Sequence, residues 1–254
     1  MNDTRIPETI TTMLSAAAAA ENGAGVIYED RTTTYRELGD LSRRAAAGLA
    51  SLGIGVGDRV AFWLPNTPAY LVLYFACVRL GAIAVAVNTR FRAGEVEDVL
   101  GRTGAKALIM WPGFRGINFP GLLEEVDRAA LARLEVAILY AEDGTSPSAL
   151  PGVARTVGYE SLFDAGNYEE DAAQAKLGCN TFTTSGTTKA PKFVLHANYS
   201  MAVHAAEVAH DFGYTDPATV VQQDMPLCGV FGLTGVLAAI AAARPLVLTA
   251  ALMR

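Results

Sequence analysis

Cysteine is scarce in this sequence: only Cys77, Cys179 and Cys228 occur among its 254 residues. Their number is odd, they lie far apart, and no two of them form a CxxC pair. This pattern excludes a disulfide framework and a cysteine-based zinc site. Reduced thiols are typical of cytoplasmic proteins, so the cysteine content predicts a cytoplasmic location.

Histidine and basic residues are also sparse. The three histidines, His196, His204 and His210, form no metal-ligand motif with cysteine or carboxylate residues, so the sequence predicts no metal site built from side chains. The 20 lysines and arginines are outnumbered by 26 aspartates and glutamates, which gives a formal net charge of −6. A chain without a basic stripe is not expected to bind nucleic acid.

Uninterrupted hydrophobic segments of membrane-spanning length are missing as well. The apolar stretch 236–252 is broken by Arg244 and Pro245, which predicts a buried helix followed by a strand. The apolar stretch 13–20 is short and is followed by Glu21, so it predicts an alanine-rich helix and not a secretory signal. We therefore predict a soluble protein, with 51% hydrophobic residues available for a large core.

The sequence does contain one stretch that is unusually rich in hydroxyl groups. Five serines and threonines lie between Thr183 and Thr188 around Gly186, and the cations Lys189 and Lys192 follow. Backbone N–H groups beside a glycine, hydroxyl donors and an ammonium group are what a polyphosphate requires. Composition alone leaves a surface turn open as the alternative. The apolar residues 194–195 then predict a strand that re-enters the core.

The order of residues in this stretch carries a resemblance. Thr184-Ser185-Gly186-Thr187-Thr188, followed by Pro191 and Lys192, resembles the signature loop of the adenylate-forming superfamily, which includes acyl- and aryl-CoA synthetases, luciferases and adenylation domains of nonribosomal peptide synthetases. A Walker loop is excluded because no Gly-Lys-Ser/Thr follows Gly186 at the required spacing. The stretch departs from the superfamily pattern at Lys189 and Phe193, where glycine is common.

Strand and helix signals alternate before this loop, which predicts a doubly wound α/β fold with mostly parallel sheets and flanking helices. Residues 26–28 and 32–34 predict a short hairpin, and Thr34 with Glu37 predicts a capping box at the start of the next helix. Helical patterns are predicted at 35–52, 67–80, 93–102, 121–134 and 198–210, short helical pieces at 159–163 and 169–175, and an irregular polar loop at 143–158. The second helix is expected to follow a turn at Pro65 and Asn66, with Pro68 in its first turn and Gly81 as its stop, and Asn198 can cap the helix that runs to about His210. Four further segments, at 35–38, 57–60, 79–82 and 87–88, resemble early motifs of the same superfamily in the correct order.

The resemblance also implies how the chain is organised. Residues 58–210 would form most of one lobe, and residues 1–57 and 211–254 would begin a second lobe. The sequence would be the N-terminal part of the large AMP-binding domain, and the mobile C-terminal domain of the superfamily would be absent. We therefore expect the chain to be inactive by itself and to have exposed apolar surface, giving either a homo-oligomer or a loosely held C-terminal third.

The reaction implied by the resemblance is attack of a small carboxylic acid on ATP, which gives acyl-AMP and pyrophosphate, followed by transfer of the acyl group to coenzyme A. Thr184, Ser185, Gly186, Thr187 and Thr188 would hold the β- and γ-phosphates of ATP. Lys192 would be the catalytic residue that balances charge on the departing pyrophosphate, and Mg²⁺ would assist.

The segment 225–233 resembles the motif that follows the phosphate loop in the superfamily. An aromatic–histidine pair often lines the acyl pocket there, and this sequence has Cys228 and Gly229 instead. Cys228, Gly229, Phe231 and Gly232 are therefore predicted to bind the substrate. A simple strand-to-helix turn containing glycine is the alternative for these residues.

Two other functions stay open from the sequence. The chain could belong to an adenylation domain that loads a carrier protein. It could also be a naturally truncated relative that binds a nucleotide, or mediates an interaction, without catalysis.

Overall fold

A computed structural model of the chain describes residues 7–20, 22–144, 149–150, 152–184 and 192–250. Within these residues the α-helices are α1 (Ile10–Ala19), α2 (Tyr35–Ser51), α3 (Pro68–Arg79), α4 (Ala93–Thr103), α5 (Phe119–Glu124), α6 (Asn198–Asp211) and α7 (Val230–Ala241), with 3-10 turns at Phe114–Gly116 and Tyr159–Ala165. None of the helices in these ranges is long and apolar enough to cross a membrane.

The strands form two sheets. They are β1 (Gly25–Tyr28), β2 (Arg31–Thr34), β3 (Arg59–Trp63), β4 (Ile83–Ala86), β5 (Ala107–Met110), β6 (Val136–Leu139), β7 (Arg155–Gly158), β8 (Gly178–Thr184), β9 (Lys192–Ala197), β10 (Val221–Gln223) and β11 (Leu246–Leu248). The larger sheet has the order β7-β6-β5-β3-β4-β8-β9, and the smaller one β10-β11-β1-β2. All neighbours are parallel except β8 with β9 and β1 with β2.

The seven-stranded sheet is covered on both faces because alternate residues of its strands point to opposite sides. One face, which includes Ala61 and Trp63, packs with residues of α4 and α5. The other face, which includes Val60 and Phe62, packs with residues of α2, α3 and α6 and with the smaller sheet. The predicted doubly wound α/β fold is confirmed.

The smaller sheet joins distant parts of the chain. β1 forms a hairpin with β2, as the sequence predicts, and also pairs in parallel with β11, with Val26 opposite Leu246. Tyr35 strengthens this junction, since its hydroxyl donates to the Arg244 carbonyl at 2.6 Å. The predicted helix-then-strand arrangement near the end of the chain is confirmed by α7 and β11.

The predicted helix at 121–134 is wrong beyond its first turn. α5 ends at Glu124, and the following residues form i to i+3 turns, such as Ala130 N–H to Asp127 O at 3.0 Å. The Asp127 carboxylate accepts from the Ala129 N–H at 2.8 Å, and the Glu97 carboxylate accepts from the Asp127 N–H at 2.9 Å. These side-chain bonds offer the backbone an alternative to the helix.

Two further local predictions fail for tertiary reasons. The predicted loop 143–158 ends in β7, the edge strand of the larger sheet, with Val136 opposite Arg155. The predicted helical piece at 169–175 is irregular, because the Ala172 N–H donates to the Arg79 carbonyl at 2.8 Å and Asp171 pairs with the buried Arg79 guanidinium at 3.2 Å. The short helical piece predicted at 159–163 is confirmed as part of a 3-10 helix.

Candidate functional site

The predicted phosphate-binding stretch spans the tip of a β-hairpin. β8 and β9 are antiparallel neighbours, and Thr184 and Lys192 are directly opposite each other at the end of the ladder. Ser185, Gly186, Thr187 and Thr188 lie outside the described residues. Both ends of the stretch that should contact phosphate are therefore held side by side, and Thr184 and Lys192 are both exposed.

This hairpin tip lies at the carboxyl edge of the seven-stranded sheet. β8 is parallel to β4, with Ala84 opposite Asn180 and Val85 opposite Thr181, so both strands point to the same edge. Thr184 is the last residue of β8. Crevices at the carboxyl ends of parallel strands are where open α/β sheets bind ligands.

The strand that follows the loop is exposed, contrary to the prediction that residues 194–195 enter the core. Val194 is 40% exposed and Leu195 is 57% exposed, because β9 is the last strand of the sheet order. Phe193 is the residue of this part of β9 that packs inward. The Arg102 guanidinium lies 4.6 Å from the centre of its ring and also pairs with Asp98 at 2.8 Å. These contacts connect the strand that begins at Lys192 to α4.

His196 and His210 lie in different environments. The ring of His196 packs edge-on against Phe182 at 5.5 Å, and burial, with a smaller contribution from His204, lowers the pKa of His196. His210 pairs with Asp211 on an exposed part of α6. Among the residues that the structure describes, no group of three or more histidine, cysteine or acidic side chains is arranged to hold a metal ion.

The prediction that Asn198 caps α6 is wrong. Asn198 is the first residue of the helix, Ala197 is the N-cap residue, and the Asn198 side-chain amide donates to the Leu177 carbonyl at 3.4 Å.

The predicted substrate-binding segment forms the turn between β10 and α7 and the first residues of α7. Gly229 is the N-cap residue of α7, and the Gly229 N–H donates to the Pro226 carbonyl at 3.0 Å. Gly232 is required by packing, since an added Cβ would lie 2.0 Å from the Pro226 carbonyl oxygen. Cys228 is half-buried, whereas Phe231 is 80% exposed at the start of the helix.

Burial raises the pKa of the Cys228 thiol to about 11, and the positive charge of Arg90 partly offsets this shift. Arg90 follows β4 at the carboxyl edge of the larger sheet, and Asn66 follows β3 at the same edge. The Asn66 side chain bonds the backbone of Met225 and of Leu227. The β10–α7 turn is thereby brought to the edge at which β8 ends beside β4.

Asn66 and Arg90 were missed by the sequence interpretation. The sequence predicts Asn66 only as part of the turn after β3, because no local pattern identifies its hydrogen-bond partners on a segment 159 residues away. Arg90 follows Asn88 and Thr89 in a stretch without a helical or strand pattern. No signal within a single sequence would have connected either residue to Cys228.

A separate cavity of about 410 Å³ lies elsewhere, between the β1–β2 hairpin, α2, α3 and the 3-10 helix. Its lining includes Tyr28, Arg44, Tyr140 and Phe163, and none of the described predicted site residues takes part. The Tyr28 hydroxyl donates to Glu142 at 2.7 Å, and Arg44 lies over the Phe163 ring at 5.2 Å. These polar side chains therefore already have partners, and the cavity lies apart from the predicted phosphate and substrate sites.

Comparison with known proteins gives consistent results over most of the chain. The family model described as "AMP-binding enzyme" matches residues 14–252. YngI from Bacillus subtilis (strain 168) is 30% identical over 235 residues, which is 83% of this chain and 41% of YngI. A CoA ligase from Mycobacterium tuberculosis is 32% identical over 213 residues, which is 80% of this chain and 38% of that ligase.

Solved structures agree on the fold. The anthranilate CoA ligase AuaEII, in complex with anthranoyl-AMP, superposes with a TM-score of 0.78 at 22% identity, covering 99% of this chain and 47% of AuaEII. The chain thus spans less than half the length of each of these three proteins. On the strength of the match over residues 14–252, this chain belongs to the AMP-binding enzyme family.

Proposed function

We propose that this chain is the N-terminal part of an ATP-dependent ligase that joins a small carboxylic acid to coenzyme A, and that it carries the site for the ATP phosphates. The observation that carries the proposal is the pairing of Thr184 with Lys192 at the carboxyl edge of the larger sheet. The relatives named as CoA ligases support the choice of reaction.

The hairpin suits a polyphosphate because of the groups at its tip. Lys192 supplies a mobile ammonium point charge, and Thr184 supplies a hydroxyl that can donate to a phosphate oxygen. Both side chains are exposed, so they can reach a ligand without disrupting the core. In the proposal Ser185, Gly186, Thr187 and Thr188 complete the set of donors around the β- and γ-phosphates.

The proposed chemistry has two steps. A carboxylate oxygen of the acid bonds to the α-phosphorus of ATP, while the bond from that phosphorus to pyrophosphate breaks. The thiol of coenzyme A then loses its proton to water, its sulfur bonds to the acyl carbon, and AMP leaves with the electron pair of the broken C–O bond. Lys192 acts in the first step, where negative charge accumulates on the departing pyrophosphate.

The acid would approach from the β10–α7 turn. Cys228 and Gly229 replace larger side chains of the superfamily pattern, which would leave room for an acyl group beside Arg90. Phe231 and Gly232 stay part of the proposed substrate-binding segment. Phe231 would have to contact the acid from its exposed position, whereas Gly232 acts through the backbone contact with Pro226.

The organisation and the cofactors belong to the proposal as well. The two sheets support a division in which residues 58–210 form most of one lobe and the flanking segments begin another. The phosphates of ATP would carry Mg²⁺ as their counterion, which would neutralise charge that Lys192 alone does not balance. The three free thiols are consistent with a cytoplasmic location, which stays a prediction.

The role of Lys192 can be tested on this chain by calorimetric titration with ATP. Loss of one charge-assisted contact is worth ~1.5–3 kcal/mol, so Lys192→Ala should weaken ATP binding about tenfold or more. Lys176→Ala is a matched control, because Lys176 is an exposed lysine just before β8, on the order of 20 Å from the hairpin tip.

Equal affinities for ATP in the wild type and in Lys192→Ala would contradict the proposed role of Lys192. In a form of the protein that adenylates, the same substitution should slow ATP–pyrophosphate exchange markedly. If the chain binds ATP but exchange never occurs in any form of the protein, nucleotide binding without catalysis becomes the better description.

A further inference from the structure

The side chain of Asn66 connects the larger sheet to the turn between β10 and α7 at the candidate site. Asn66 follows β3, a central strand of the larger sheet, and is only 3% exposed. Its Nδ2 donates to the Met225 carbonyl at 2.9 Å, and its Oδ1 accepts from the Leu227 N–H at 2.8 Å. Both partners lie in the turn that leads from β10 into α7.

These two bonds make specific demands on residue 66. The irregular turn leaves one carbonyl and one N–H facing the carboxyl edge of the larger sheet, and a primary amide can satisfy both at once. A carboxylate could accept from Leu227 but could not donate to Met225. An amide rotated by 180° would place its N–H donors against the Leu227 N–H and its oxygen against the Met225 carbonyl oxygen, so neither bond could form. The Tyr70 hydroxyl adds a third contact, to the Leu227 carbonyl at 3.4 Å.

The anchored turn contains the residues assigned to the acyl pocket. Leu227 is buried in the core, and Cys228 and Gly229 follow directly. The Gly229 N–H is in turn bonded to the Pro226 carbonyl, so the position of Cys228 and of the first turn of α7 depends on where residues 225–227 are held.

We propose that Asn66 is a positioning residue: its side-chain amide fixes the turn 225–228 against the carboxyl edge of the larger sheet and thereby sets the Cys228 wall of the acyl pocket. Asn66 does not contact the reacting atoms. The part concerning the acyl pocket rests on the proposed ligase function, whereas the positioning of Cys228 does not.

The first experiment measures how fast iodoacetamide alkylates each thiol at pH 8, with mass spectrometry of the tryptic peptides as the readout. In the wild type Cys228 should react slowly, because the turn holds it half-buried. Asn66→Ala removes both anchoring bonds and should accelerate alkylation of Cys228 at least fivefold. Asn66→Asp keeps only the acceptor for the Leu227 N–H, so it should protect Cys228 from alkylation less well than the wild type does.

Cys77 and Cys179 are controls within the same molecule, since both are buried. If Asn66→Ala acted only by weakening the whole fold, all three thiols would become reactive together, and the proposal would be overturned. Asn118→Ala is the matched control variant. It removes another asparagine side-chain bond, the cap of α5 at 3.1 Å, without touching the turn, and should leave Cys228 as protected as before.

A second experiment tests the acyl pocket through the affinities of ATP and of an acyl sulfamoyl adenosine, a stable mimic of the acyl adenylate. Asn66→Ala should weaken the mimic at least fivefold and change the affinity for ATP less than twofold. An unchanged affinity for the mimic would overturn the pocket part of the proposal. If the wild type binds neither compound, the proposed function fails, and the alkylation experiment still decides whether Asn66 positions Cys228.

Discussion

Among single residues, two glycines of α2 differ in their packing, so replacing each of them by alanine should change the stability of the chain in opposite directions. Gly48 of α2 faces the 3-10 helix, and a Cβ added there would lie 2.3 Å from the Leu162 carbonyl oxygen. Gly39, also in α2, has no atom within 4 Å of an added Cβ. Gly48 is needed for the close contact between α2 and the 3-10 helix, whereas Gly39 makes no such contact and only lowers the helix propensity of α2.

We expect Gly48→Ala to destabilise the chain by ~1–3 kcal/mol, because the backbone of residue 162 has to move. Gly39→Ala should stabilise it by ~0.5–1 kcal/mol, because alanine has the better helix propensity. Urea denaturation of both variants checks the pair. Changes of the same sign would contradict the packing of the 3-10 helix on α2.

The candidate site shows what a sequence can indicate about single residues. Thr184 and Lys192 were predicted because their neighbours form a dense local pattern; the hairpin places them opposite each other, and their phosphate-binding role stays a prediction. Asn66 was not found, because an asparagine after a strand looks like any turn residue until its distant partners are known. A chemical role that depends on contact across the fold leaves no local signal.

At the scale of elements, the start of α2 is fixed by a capping box. The Glu37 carboxylate accepts from the Thr34 N–H at 2.7 Å, and the Thr34 hydroxyl accepts from the Glu37 N–H at 3.2 Å. The sequence predicted this box from the spacing of the two residues. The hydrogen bond from the Thr34 backbone, followed by that from its hydroxyl, lowers the pKa of Glu37.

This lowered pKa gives α2 a stability term that depends on pH. The ionised carboxylate should stabilise the fold above the pKa of Glu37 in the unfolded chain, and the effect should vanish as the pH falls through the lower pKa of the folded state. Glu37→Gln should cost about 0.5 kcal/mol or less at pH 7, since the group is exposed to water. Unfolding of both proteins at pH 7 and in acid checks this, and a difference that does not change with pH would contradict it.

Elements with strong short-range signals were predicted well. Thr34 and Glu37 mark the start of α2, Pro68 begins α3, and Gly81, at a φ of 68°, follows its end. Predictions failed where tertiary contacts decide the conformation. β7 forms because the neighbouring strand β6 offers a ladder to residues 155–158, and the segment before β8 is irregular because it binds Arg79.

At the scale of the whole molecule, several apolar side chains are exposed beside a sheet edge. Leu195 and Val194 lie on β9, and Tyr199, 51% exposed, lies in the first turn of α6. An edge strand with exposed apolar residues is a template for association. The homo-oligomer considered from the sequence would have a physical basis in this surface.

We therefore expect sedimentation velocity to show association that increases with protein concentration. Leu195→Lys should weaken it, while the free energy of unfolding changes by less than about 0.5 kcal/mol, since the side chain is largely in water. Phe212→Lys, at an exposed residue beyond the end of α6, is the control and should have a smaller effect. A concentration-independent monomer would contradict the expectation.

The pairing of β1 with β11 has a consequence for the way the chain acquires its structure. All strands of the larger sheet are complete once residue 197 has been synthesised, so that sheet can assemble early. The hairpin of β1 and β2 cannot complete its own sheet until residues 246–248 arrive. Contacts between such distant segments close slowly. During that interval one side of β1 lies open, and this open side is where a newly made chain is most exposed to mispairing and to chaperones.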